Sequence, residues 1–132
     1  MAITPDRKSF IVAETYANRL TAFALDDDGS LRGRRLFAAL GDCFPDGICP
    51  DAEGAVWVAD ARGHRVIRVF DGGRIERSVS TGAQGAYACM LGGADRRTLF
   101  ICTSSASGPG QAAKRDGRIE QVRVEVPGAG LP

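Results

Sequence analysis

The apolar positions of this chain form three short runs, each rich in strand-forming residues. Because the runs are uninterrupted, they predict strands that are covered on both faces. No window keeps a helical period; residues 36–40 fit a short helix or a strand equally well. The three runs are SFIVAE at 9–14, AVWVAD at 55–60 and TLFICT at 98–103.

A second set of stretches alternates between apolar and polar residues, which predicts strands with one buried and one solvent-facing side. These stretches are residues 65–70 and 121–126. Asp-Gly pairs beginning at Asp28, Asp71 and Asp116 precede strands. We expect hairpin turns at these pairs, because both residues tolerate a positive φ.

The runs belong to a repeat, marked by an aspartate in the same slot of each unit at intervals of 45 and 44 residues. A period in the forties with several short strands is typical of a β-propeller blade. We therefore expect an all-β, single-region fold of about three blades, with repeats near 1–44, 45–88 and 89–132. The three aspartates are Asp6, Asp51 and Asp95.

Several residues that could carry chemistry have plainer explanations. The three recurring aspartates are expected in structural turns, and Glu14 and Asp60, which end equivalent strands, are expected to cap them. His64 is the only histidine and falls in a turn, and no G-x-S-x-G sequence supplies a nucleophile. Trp57 and Cys102 lie in apolar runs and are expected in the core, Cys102 as a buried free thiol.

Two segments read as irregular. Residues 104–115 (SSASGPGQAAKR) are rich in small residues and predict an exposed loop within the third repeat, without chemistry of its own. Residues 126–132 (VPGAGLP) have no period and predict an irregular end segment.

Charge and composition exclude some classes of partner. Lys and Arg total 17 against 16 acidic residues, and no basic stripe argues for nucleic acid. No apolar run approaches the length that crosses a bilayer, so no membrane partner is expected.

The four cysteines have no metal-site spacing, and the first ten residues lack the apolar segment of a secretory signal. Reduced thiols without such a signal favour a cytoplasmic protein.

Three segments together resemble one family, that of gluconolactonase, regucalcin (senescence marker protein) and the luciferin-regenerating enzyme. They are MAITPDRKSFIVAET at 1–15, FPDGICPDAEGAVWVAD at 44–60 and CMLGGADRRTLFICTSS at 89–105. The resemblance implies a six-bladed β-propeller, of which this chain would be the C-terminal half, about three blades.

The resemblance also implies a function, the metal-dependent hydrolysis of a lactone, often a sugar lactone. It implies a divalent cation held by a Glu, an Asn and an Asp, with Ca²⁺ as first choice and Zn²⁺, Mn²⁺ or Mg²⁺ as alternatives. The Asp belongs to a Pro-Asp-Gly turn, which is Asp46 here. Asp46 is therefore the expected metal ligand and the candidate catalytic base, acting on a lactone whose carbonyl the cation polarises.

The chain departs from the family pattern at its start. The family's metal-binding Asn stands in an Asn-Gly pair directly before the residue that Met1 matches, and the Glu lies further upstream. We therefore expect Met1 to be an internal residue of a longer propeller, and the isolated chain to be weakly active or inactive. The alternative is a non-catalytic half-propeller that binds or assembles. Either the missing N-terminal half or a second copy in a homodimer would close the ring.

Overall fold

The computed structural model describes residues 1–130, which fold into three antiparallel sheets. Within these residues the helical segments are two short 3-10 turns, Thr15–Ala17 and Ala112–Lys114. Neither turn has the length or apolar character needed to cross a membrane. The prediction of an all-β fold is confirmed.

The first sheet has four strands that follow one another in sequence and in space. Residues 36–40, open between helix and strand in the sequence, fall almost entirely in its last strand. The Asp28-Gly29 turn joins the last two strands, as predicted. The strands are β1 Ala2–Ile3, β2 Ser9–Glu14, β3 Arg19–Leu25 and β4 Leu31–Ala39.

The second sheet repeats this order. Its first strand begins at Pro45, where the sequence places the start of the second repeat. The predicted turn at Asp71 joins its last two strands. The strands are β5 Pro45–Pro50, β6 Val56–Asp60, β7 Arg65–Val69 and β8 Ile75–Ser80.

The third sheet has three strands in the described residues and begins at Gly85, so the sequence boundary at 88/89 falls inside its first strand. A long, largely exposed connection containing the second 3-10 turn joins its last two strands, where the sequence predicts a loop. The strands are β9 Gly85–Gly92, β10 Thr98–Ser104 and β11 Arg118–Arg123.

The second sheet is sandwiched between the other two. One apolar cluster joins it to the first sheet and includes Ile11, Leu20 and Val58. A second cluster joins it to the third sheet and includes Trp57 and Leu99. Every residue of β6 is therefore buried, which confirms both the two-sided burial predicted for this run and the core position of Trp57.

The first and third sheets each leave one face uncovered, so the two-sided burial predicted for β2 and β10 is wrong. The open face of the first sheet carries Ile3, Phe10 and Leu36, and that of the third carries Met90, Cys102 and Ile119. The prediction that Cys102 is buried is wrong for this reason: its side chain lies on the uncovered side of an end sheet.

The alternation predicted for residues 65–70 is also wrong. The four residues after Arg65 in β7 are all buried, and Arg68 is only 3% exposed, because the second sheet has a neighbour on each side. Arg68 avoids an unpaired buried charge by bonding to Asp51, whose carboxylate is fully buried. Residues 121–126 do alternate in burial, as predicted, although the strand of the third sheet ends at Arg123 and only residues 121–123 belong to it.

The recurring aspartates hold turns, as predicted. Each carboxylate accepts a hydrogen bond from the backbone N–H two residues later, at distances of 2.9–3.2 Å. This is the Asx turn that lets aspartate replace a backbone acceptor before a strand. The pairs are Asp6 with Lys8, Asp51 with Glu53, and Asp95 with Arg97.

The chain beyond β11 runs back to the second sheet. Ala52 donates its N–H to the Pro127 carbonyl at 2.9 Å, and Ala129 donates to the Pro50 carbonyl at 3.3 Å. The last segment, predicted as irregular, therefore crosses the seam between the second and third sheets. Leu131 and Pro132 of that segment lie outside the described residues.

Candidate functional site

Asp46 lies at the start of β5 on the wall of an open cleft of about 560 Å³. The walls come from all three sheets and the loops between their strands. Its size falls in the range of small-molecule sites. The polar side chains that matter below are Thr15, Asp46, Arg62, His64, Tyr87 and Ser105.

The Pro-Asp-Gly sequence explains how Asp46 reaches this cleft. The register between β5 and β6 shifts between Pro45 and Ile48, so Asp46 falls in a bulge, a device that redirects a side chain out of a sheet. Gly47 follows because β9 passes close by: a Cβ at this position would lie 2.6 Å from the Cα of Ala88. The motif thus turns one carboxylate toward the cleft and lets two strands meet behind it.

The carboxylate of Asp46 is free. Within residues 1–130 it makes no hydrogen bond and no ion pair. Partial burial raises its pKa above the ordinary value for an aspartate. A carboxylate without a partner, facing a cleft, is a chemically available oxygen ligand and proton acceptor.

A complete metal site is not present in the described part of the chain. No three side chains of the His, Cys, Asp or Glu type come close enough there to hold one ion. The carboxyl donor of Asp46 fits a hard cation such as Ca²⁺, which takes six to eight oxygen ligands. The residues in hand therefore fit one part of the oxygen shell that the family resemblance implies.

The β6–β7 hairpin is fixed by Asp60. Its fully buried carboxylate accepts hydrogen bonds from the backbone N–H of Phe44 at 3.0 Å and of Gly63 at 2.9 Å, and from the side chain of Arg65 at 3.0 Å. Burial raises the pKa of Asp60, but these bonds outweigh it and leave the pKa below its ordinary value. A side chain at residue 63 would collide with the carboxylate. The capping role predicted for Asp60 is confirmed.

This hairpin presents Arg62 and His64 to the cleft. The Arg62 guanidinium lies over the ring of Phe44, 4.6 Å from its centroid. His64 is exposed and has a φ of 53°, which the turn requires. The prediction that His64 is a solvent-facing turn residue is confirmed.

Other wall residues were missed by sequence reasoning. Thr15 donates a hydrogen bond to the Pro45 carbonyl at 2.7 Å, which ties the first sheet to the strand of Asp46. Tyr87, Ser105 and Ser107 add hydroxyl groups from the third sheet and its loop, a segment expected to have no chemistry. No local signal marks these residues, because only the packing of three sheets brings them together.

Glu14, predicted as a strand-end cap, instead bonds to side chains of its own sheet. It accepts from Arg19 at 2.7 Å, from Arg34 at 3.0 Å and from Thr21. The Arg19 guanidinium is the main cause of a pKa lowered to about 2. Glu14 thus clamps β2, β3 and β4 together.

The fold and the sequence both have known relatives. The chain is 32% identical to the 6-deoxy-6-sulfogluconolactonase of Pseudomonas putida, over its full length and 47% of that protein. The luciferin-regenerating enzyme matches 98% of the chain with a TM-score of 0.82 at 18% identity, over 47% of its own chain. A calcium-binding protein, regucalcin, from Agrobacterium tumefaciens matches 98% with a TM-score of 0.77 at 20% identity, over 45% of its chain.

These relatives identify the three sheets as blades of a β-propeller, as predicted. The chain spans a third to a half of the length of the curated relatives it matches. The family described as SMP-30/Gluconolactonase/LRE-like region matches residues 1–105. By this match, and by its likeness to the Pseudomonas putida lactonase, the chain belongs to the SMP-30/gluconolactonase/LRE-like family.

Proposed function

We propose that this chain is the C-terminal part of a metal-dependent hydrolase of lactones, with Asp46 as its metal ligand and candidate base. The observation that carries the proposal is the unpartnered carboxylate of Asp46, turned by a bulge into a cleft of about 560 Å³. Lactone hydrolysis is the activity named by the Pseudomonas putida relative. A sugar lactone is the proposed substrate class.

The proposed cation is Ca²⁺, with Zn²⁺, Mn²⁺ or Mg²⁺ as alternatives; the Agrobacterium relative is a calcium-binding protein. When bound, such an ion polarises a lactone carbonyl and lowers the pKa of water. The carboxylate of Asp46 would hold it with one or two oxygens. A carboxylate in this place would also be within the chemistry of a general base for an attacking water. The hydroxyl groups of Tyr87 and Ser105 would orient the polar substituents of the substrate.

The remaining metal ligands would come from further blades. Two apolar faces are open, one on the first sheet and one on the third, and exposed large side chains on them include Leu36 at 56% and Ile119 at 75%. Such faces ordinarily pack against a neighbouring blade. We propose that the missing N-terminal half, or a second copy of the chain, covers both and completes the ring.

The setting proposed for the protein is cytoplasmic. All four cysteines are free, as a reducing compartment requires. Burial raises the pKa of Cys43 to about 12, so this thiol stays protonated at neutral pH. Such thiols resist oxidation, and they add no ligand to the cleft.

The proposal is tested by measuring whether the carboxylate of Asp46 binds a metal ion, which we expect to be weak with this single ligand. Mn²⁺ is titrated into the ¹⁵N-labelled chain. It is expected to broaden the amide signals of Asp46 and Gly47 first, because the relaxation caused by a paramagnetic ion falls steeply with distance from that ion. Asp46→Asn should abolish this broadening, while Asp27→Asn, a change at an exposed turn, should not. Broadening centred elsewhere, or unchanged in Asp46→Asn, would contradict the proposal.

Turnover is measured beside binding. The release of acid from D-glucono-δ-lactone is followed with and without Ca²⁺, Zn²⁺ or Mn²⁺. Metal-dependent hydrolysis above the spontaneous rate, lost in Asp46→Asn and kept in Asp27→Asn, supports the enzymatic role. Metal binding at Asp46 with no turnover favours the alternative of a half-propeller that binds without catalysis.

A further inference from the structure

We propose that the cleft selects lactones carrying a negatively charged oxyanion group remote from the lactone ring, and that Arg62 binds this group. The inference rests on the proposed function for the reacting end of the substrate. Its own basis is the chemistry of the β6–β7 hairpin, which lines the same cleft as Asp46.

Arg62 is a cation without an acid. Within residues 1–130 it takes part in no ion pair, although seven other arginines there do. The buried Asp60, two residues earlier in the chain, is already satisfied by Arg65 and by backbone N–H groups. The guanidinium of Arg62 therefore keeps its donors available for a ligand.

The backbone of Arg62 is held by its hairpin before any ligand arrives. Asp60 holds the hairpin through Gly63, and the ring of Phe44 supports the guanidinium from one side. Phe44 stands two residues before Asp46, so the ring that contacts Arg62 belongs to the same segment as the proposed metal ligand. A pre-positioned guanidinium loses less entropy on binding, and its planar fork matches the oxygens of a phosphate, sulfonate or carboxylate.

The cleft carries two formal charges of opposite sign. Among its described lining residues Asp46 is the acid and Arg62 the permanent cation. No hydrogen bond or ion pair joins Arg62 to Asp46 in the described residues. Both groups are therefore free to contact one substrate, the ester through Asp46 and the anion through Arg62.

The test compares two stable acids, D-gluconate and 6-phospho-D-gluconate, which differ in one remote phosphate. Each is titrated into the ¹⁵N-labelled chain and followed through the amide signals of Gly63 and His64. The phosphorylated acid is expected to bind about tenfold more tightly, the size of one charge-assisted hydrogen-bonded pair. Arg62→Gln should remove the preference, and Arg62→Lys should restore part of it.

Arg74→Gln is the matched control. Arg74 also stacks on an aromatic ring, that of Phe70 at 4.1 Å, and also makes no ion pair in the described residues, but it does not line the cleft. This variant should keep the preference for the phosphorylated acid. Equal affinity for both acids in the unmodified chain, or equal losses in Arg62→Gln and Arg74→Gln, would overturn the inference.

The result of this binding test does not depend on whether the chain binds a metal ion or hydrolyses a lactone. A preference that depends on Arg62 supports the inference even if Mn²⁺ fails to bind at Asp46, in which case the proposed metal role falls alone. If Mn²⁺ binds at Asp46 and the phosphate brings no gain, the anion selectivity falls and the metal role stands.

Discussion

The second and third sheets contain the same ion pair in opposite surroundings. In the second, Asp51 bonds to Arg68 at 2.7 Å, with side chains 0% and 3% exposed. In the third, Asp95 bonds to Arg123 at 2.6 Å, with side chains 44% and 63% exposed. In both, a turn aspartate before one strand binds an arginine of the strand beside it. The local sequence determines which two residues pair. Burial by a neighbouring sheet determines how much the pair contributes to the free energy of unfolding.

Burial under a neighbouring sheet changes how many carboxylate partners the arginine has. The buried Arg68 collects two more carboxylates, Glu53 at 2.8 Å and Glu76 at 2.7 Å, so its charge is shared among three acids. The three together raise the pKa of Arg68 against the effect of burial. The exposed Arg123 bonds to the single carboxylate of Asp95 and to the hydroxyl of Thr98. Removing one partner should therefore lower the free energy of unfolding strongly in the second sheet and very little in the third.

The largest effect is expected for Arg68→Met. The change leaves the carboxylate of Asp51 buried without its partner, and we expect the free energy of unfolding to fall by about 3–5 kcal/mol. Urea titration followed by tryptophan fluorescence measures it, since Trp57 lies in the same sheet. The control is Arg35→Met, at an exposed pair with Asp71, where the same change should cost at most about 1 kcal/mol. Similar losses in both variants would contradict the comparison.

A smaller effect is expected at the other end of β6. Asp60→Asn keeps an acceptor for the backbone of Gly63 but removes the charge that binds Arg65, and should cost about 1–3 kcal/mol at neutral pH. Because the folded pKa of Asp60 lies below its unfolded value near 3.8, this stabilisation is complete above that value and is lost as the pH falls through the folded pKa. Urea titrations from pH 7 to pH 2.5 should show the two proteins converging below about pH 4. A constant gap would contradict this account.

Arg123→Met should change little. The pair with Asp95 is exposed, so we expect a loss of about 0.2–1 kcal/mol, measured as for Arg68→Met. Added salt should shrink this difference, because an exposed pair is screened, and should leave the loss in Arg68→Met almost unchanged. A loss as large as that of Arg68→Met would mean that another surface covers the third sheet in solution.

Alkylation of Cys102 is the smallest perturbation. Its thiol lies on the open face, so iodoacetamide should modify it in the native protein without altering the free energy of unfolding. Cys43, Cys49 and Cys89 are buried and should react only after unfolding. Mass spectrometry of peptides locates the label. Protection of Cys102 in the native protein would show that the open face is covered, as closure of a ring predicts.

The sequence predicts the elements better than their surroundings. The repeat locates the strands, and the Asp-Gly pairs at Asp28 and Asp71 locate hairpin turns. The hairpin turn predicted at Asp116 is wrong, because this pair ends the long connection between β10 and β11. Burial of Arg68 and exposure of Cys102 contradict the residue-type expectation, because both depend on whether another sheet lies alongside. The motif around Asp46 is likewise visible in the sequence, whereas Tyr87 joins it only through the packing of the third sheet against the second.

The returning C-terminal segment has a mechanical consequence. By bonding to Pro50 and Ala52, it acts as a clasp that fastens the last blade to the one before it. Opening that seam requires the clasp to be released first, so the two blades should melt as one cooperative unit. The first blade is held to the second by different bonds, from Gly72 N–H to the Phe37 carbonyl at 2.8 Å and from Thr15 to the Pro45 carbonyl at 2.7 Å.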